Sequence, residues 1–93
     1  MEGRSDLAIA DYGEAIRLNP RYTPGYLNRG VIYEGMGRHD LAAADFAMAV
    51  SLAPKMTQAH YNLGNAHRDT KQYEQAIADY SEAIRLDPRA VFD

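Results

Sequence analysis

Apolar, small and aromatic residues return along this chain at helical spacing. Tyr26, Arg29, Gly30 and Tyr33 fall at i, i+3, i+4 and i+7, and His60, Leu63, Gly64 and His67 take the same places 34 residues later. A second kind of stripe, Ala42, Phe46, Ala49, Val50 and Leu52, is copied by Ala76, Tyr80, Ala83, Ile84 and Leu86. Small residues at the glycine and alanine places let helices approach closely, and the aromatics fill the space beside them. Pro20, Pro54 and Pro88 follow each stripe of the second kind and stop it, because proline cannot continue helical hydrogen bonding. The pattern predicts five helices: one of the second kind over about 6–18, then two first-and-second pairs.

The repetition is exact enough to fix a register. Asn28 and Asn62 are 34 apart, as are Gly30 and Gly64. Three copies of the second half follow one another: Ala8, Ala42 and Ala76; Asp11, Asp45 and Asp79; Tyr12, Phe46 and Tyr80; Ala15, Ala49 and Ala83; Leu18, Leu52 and Leu86. On these residues the segments Tyr26–Pro54 and Tyr61–Pro88 resemble the tetratricopeptide repeat, and the resemblance covers nearly the whole chain. It implies an all-α fold, a right-handed solenoid of antiparallel helix pairs. The expected organisation is a single domain with a half repeat at 1–22, repeats at 23–56 and 57–90, and a tail at 91–93. Departures from the family pattern are His60 where Tyr26 stands in the other unit, Arg29 where leucine is usual, and Lys71 where Gly3 and Gly37 hold the inter-helix turn. A left-handed turn costs lysine more than glycine, so the last turn is expected to be looser.

Composition narrows the function. With 46% hydrophobic and 25% charged residues the 93-residue chain reads as a soluble globular domain. It has no cysteine, which removes disulfides, thiolate metal sites and cysteine nucleophiles together. A net charge of −3 with no basic run argues against nucleic-acid binding. No stretch is apolar enough for membrane insertion, and no signal-peptide pattern opens the chain. A cytoplasmic location is the expectation from those absences.

The resemblance places a concave groove along the first helices of each pair, and there an extended peptide or partner protein would bind. Carried over place by place, that face holds Leu27, Asn28, Val31 and Glu34, then Tyr61, Asn62, Asn65 and Arg68, with Pro24, Gly35, Gln58 and Asp69 at its margins. Asn28 and Asn62 recur at one place, and an asparagine amide can hydrogen-bond both N–H and C=O of a peptide main chain. Tyrosine and arginine are enriched where binding energy concentrates. A carboxylate clamp of the kind that holds chaperone tails is not expected, because Leu27 and Val31 stand at its lysine and first asparagine places. The alternative reading is structural. The open ends of the solenoid, marked by Ile9, Tyr12, Ile16, Ile84, Val91 and Phe92, would stack on other copies, giving a homo-oligomer.

Catalysis finds no foothold. His60 and His67 lie seven apart, roughly 10 Å along a helix axis, too far to chelate one metal ion, and both occupy packing places. His39 is expected in solvent near a turn. Gly35-Met36-Gly37 lacks the strand and lysine of a phosphate loop. Asp11, Asp45 and Asp79 are expected to be solvated or locally paired. The expectation is a binding module without metal or cofactor, not an enzyme.

Overall fold

Four of the five described helices stop at a glycine or just before a proline, and the other, fourth in chain order, stops at the Thr70-Lys71 turn. In the computed structural model, which describes residues 2–89, α1 spans Glu2–Leu18, α2 Thr23–Gly35, α3 His39–Leu52, α4 Thr57–Asp69 and α5 Tyr73–Leu86. Pro24 sits in the first turn of α2, where its missing N–H is not needed. Ala53 and Asp87, each just before a proline, leave the helix at φ −137° and −146°. Successive helices pack on one another in chain order and α4 lies beside α2, which makes an all-α solenoid of helix pairs.

The core runs between the layers. Ala42, Phe46, Leu63 and Ala66 form one buried cluster, and Tyr26, Ala49 and Ala59 form the next. Phe46, 1% exposed, is the largest fully buried side chain, and burying such a ring stabilises by about 2–3 kcal/mol. It fits because Gly30 has no side chain: a Cβ there would sit 2.6 Å from the Phe46 ring. Gly64 stands in the same relation to Tyr80, at 2.8 Å.

The two non-matching residues at the aromatic place reach the same partner. Tyr26 donates its hydroxyl to the Pro20 carbonyl at 2.8 Å, and His60 donates Nε2–H to the Pro54 carbonyl at 2.8 Å. Both tie the start of a first helix to the end of the preceding second helix. His60 is thus a packing residue, 8% exposed, as its place suggested.

Two expectations are corrected. Gly3 does not form a turn; α1 runs through it, and Gly37 is the glycine with positive φ among the described residues. Nothing lies within 4 Å of a Cβ placed at Gly3. The Lys71 turn is not loosened. Lys71 adopts φ 64°, and its N–H and that of Gln72 bond Arg68 O and His67 O at 3.0 and 2.8 Å. Gly37 and Arg38 make the same pair of bonds to Glu34 O and Tyr33 O. Thr70 Oγ1 adds bonds to Ala66 O and His67 O, both at 3.1 Å. Local hydrogen bonding therefore holds lysine in a conformation that costs about 1–2 kcal/mol. Ile84, named among the open-end residues, is 51% exposed, because among the described residues no later helix covers α5.

Arg29, the departure from leucine, has a structural explanation. Its Nε and Nη2 donate to Asp45 Oδ2 and Oδ1 at 2.8 and 2.7 Å, a bidentate pair between α2 and α3. Asp45 is only 5% exposed. Asp79, at the same place in α5, is met instead by His67 Nδ1 at 2.6 Å. Two members of the aspartate row are thus locally paired, and Asp11 is exposed.

Candidate binding groove

α2 and α4 lie side by side, and the residues facing out between them come from the expected places. A depression of about 130 Å³ opens there, lined by Val31 and Glu34 of α2, Asn62 and Asn65 of α4, and the edge of Phe46 from α3 behind. Four of the eight expected groove residues are therefore brought together. The floor residue Phe46 had been assigned to the core only. Gly30 beside it is itself buried, and the space of its missing side chain is filled by the Phe46 ring.

The other four stand elsewhere. Leu27 turns inward and packs against both core clusters, so it is a wall of the core and not of the groove. Asn28 is exposed, to one side of the depression. Tyr61 stacks obliquely on Tyr80, with centroids 5.7 Å apart. Arg68 is 57% exposed and lies 3.4 Å from Asp69.

The two asparagines are pre-set by neighbours. Asn62 Oδ1 accepts from Gln58 Nε2 at 2.8 Å, one turn back on α4. Asn65 Oδ1 accepts from the Tyr80 hydroxyl. With both carbonyl oxygens engaged, the N–H₂ groups are left for other acceptors. A wall of this kind suits peptide C=O groups, and Val31 gives it an apolar side.

The inner end of the groove is acidic. His39 Nδ1–H donates to Glu34 Oε1 at 2.7 Å and lies 3.6 Å from Asp69 Oδ2. His39 is therefore not a solvated turn residue: the α2–α3 turn folds it back onto the end of α2. The Glu34 carboxylate raises the His39 pKa above its usual value. Burial, together with the facing Asp69 carboxyl, raises Glu34, while the neighbouring Glu34 carboxyl and Arg68 lower Asp69. Glu34 Oε2 is shut off from solvent with no hydrogen-bond donor directed at it. One ligand atom from each of Glu34, His39 and Asp69 lies within 4.8 Å of the others, a grouping of metal-ligand types that the spacing of these residues in the chain did not reveal.

Among the expected end residues, Ile9 and Tyr12 are half-buried on α1. Ile16 packs inward on the cluster of Tyr26, Ala49 and Ala59. Val91 and Phe92 lie outside the described residues. The larger exposed apolar face, missed in the sequence, is on α5, where Tyr73 and Ile77 join Ile84 at 58%, 65% and 51% exposure.

Models of the tetratricopeptide repeat match residues 2–37, 23–56 and 57–89. The chain belongs to the tetratricopeptide-repeat family. Among solved structures it is similar to the first TPR of Spaghetti (RPAP3) bound to an HSP90 peptide, SRMEEVD, with 27% identity over 96% of this chain and 71% of that one, at a TM-score of 0.90. The Arabidopsis OM64 TPR domain matches at 27% identity and TM-score 0.88 over 96% of this chain and 74% of that one. MamA matches at 26% identity and TM-score 0.87 over 92% of this chain, which spans only 50% of MamA. No curated protein matches the sequence significantly. Among the described residues no helix is long and apolar enough to cross a membrane.

Proposed function

We propose that this tetratricopeptide-repeat chain is a non-catalytic scaffold that presents the groove between α2 and α4 to an extended segment of a partner protein. The observation that carries this reading is the depression in which the N–H₂ groups of Asn62 and Asn65 stand beside the apolar surface of Val31. The Spaghetti domain, similar in fold, binds a peptide, which supports a peptide ligand here. Asn28, exposed along the same helix face, extends the row of amides. A peptide selected from a library should lose about tenfold in affinity on the double change Asn28→Ala and Asn62→Ala, with no fall in the urea midpoint. Unchanged affinity would rule out the amide row.

A second reading rests on α5. Tyr73, Ile77 and Ile84 form an exposed apolar face at the end of the solenoid, where further helices or another copy would stack. Light scattering across a wide concentration range tests it. Growth in mass that a charge at Ile77 abolishes supports stacking, and a constant monomer mass refutes self-association.

A further inference from the structure

The charge of the ligand is set at the inner end of the groove. Glu34 lines the depression, and His39 engages one of its oxygens while the other has no donor. Asp69 stands next to it with a second carboxylate. The nearest guanidinium, Arg68, is turned to solvent at 57% exposure and contacts Asp69, not Glu34. A buried acceptor without a donor raises the free energy of the unliganded state, and the terminal torsion of a glutamate is soft enough to swing that oxygen into the depression. Val31, 50% exposed, flanks the same space with apolar surface, which suits the methylene stem of a long basic side chain. An acidic segment such as the SRMEEVD peptide held by the Spaghetti domain would set its carboxylates against Glu34 and Asp69.

Building on the groove reading above, we propose that the depression between α2 and α4 receives a lysine side chain of an extended peptide. Its ammonium binds Glu34, its stem lies on Val31, and flanking main-chain carbonyls accept from Asn62 and Asn65. The ligand is thus opposite in charge to an acidic chaperone tail. Lysine is favoured by more than Coulomb attraction alone, because its ammonium supplies the donor that Glu34 lacks.

The test uses three acetylated, amidated heptapeptides identical except for a central lysine, norleucine or glutamate. They are titrated into the ¹⁵N-labelled chain in low-salt buffer with EDTA, following the side-chain amide signals of Asn62 and Asn65. The lysine peptide should bind at least tenfold more tightly than the norleucine peptide, with the glutamate peptide weakest. Glu34→Gln should erase the difference between lysine and norleucine. If Glu34→Gln does not fold, Asp69→Asn on the exposed side of the pair should narrow the same difference by about threefold. Equal binding of lysine and norleucine, or a preference that survives in Glu34→Gln, overturns the basic specificity while the groove stands. No shift with any of the three overturns the groove itself.

Discussion

The pairs α2–α3 and α4–α5 share one backbone plan but solve it with different chemistry. At the aspartate place, Asp45 is held by the fixed charge of Arg29 and Asp79 by a histidine from one turn further along α4. At the aromatic place, Phe46 is sealed between layers, while Tyr80 keeps a hydroxyl for Asn65 and lies half-buried. At the turn, Gly37 takes a positive φ without steric cost and Lys71 takes it against one. At one groove place, Glu34 is half-buried and Arg68, its counterpart, is exposed. The inner pair has helices on both sides, so the buried Asp45 is matched by a fixed partner. Among the described residues the outer pair is covered on one side only, and water can reach what the protein does not satisfy.

That contrast makes predictions. The largest effect is expected at the aspartates. Asp45→Ala leaves Arg29 as an uncompensated charge that is 22% exposed, and should cost about 2–3 kcal/mol, below the full range for a buried pair because water still reaches the guanidinium. Asp79→Ala leaves a histidine that can be neutral, and should cost about 1 kcal/mol. Urea unfolding of both variants checks the difference, and equal losses would remove the distinction between fixed and adaptable partners.

Next come the glycine notches. Gly30→Ala drives a Cβ into the immobile Phe46 ring, and even after the helix-propensity gain of alanine should cost about 1–2 kcal/mol. Tyr80 has an open side to move toward, so Gly64→Ala should stay within about 0.5 kcal/mol of the parent. Gly30→Ala should also change the floor of the groove. A Gly64→Ala loss as large as that of Gly30→Ala would show that the outer aromatic is as confined as the inner one.

The smallest effect is at the turns and has opposite signs. Lys71→Gly should stabilise by about 0.5–1 kcal/mol, since relief of the left-handed strain exceeds the added entropy of the unfolded glycine. Gly37→Ala should destabilise by about 1 kcal/mol. Thermal midpoints in one buffer suffice. A destabilised Lys71→Gly would mean that the lysine side chain contributes more than its backbone costs.

The sequence alone determined the helix count, the pairing and the family, because each rests on local rules. A 34-residue period, glycines opposite aromatics and prolines after each second helix are all legible without coordinates. The resemblance to the repeat family, carried over place by place, also put Val31, Glu34, Asn62 and Asn65 on one surface. Tertiary structure decided what those residues touch. Leu27 turned into the core and Ile84 out of it because burial depends on whether another helix lies against that face. Arg29 found Asp45, and Glu34, His39 and Asp69 met across three helix ends, through contacts between segments that no spacing within one helix encodes. The period of a helix fixes direction, whereas pairing of charges depends on distances between helices, and those exist only once the layers have packed.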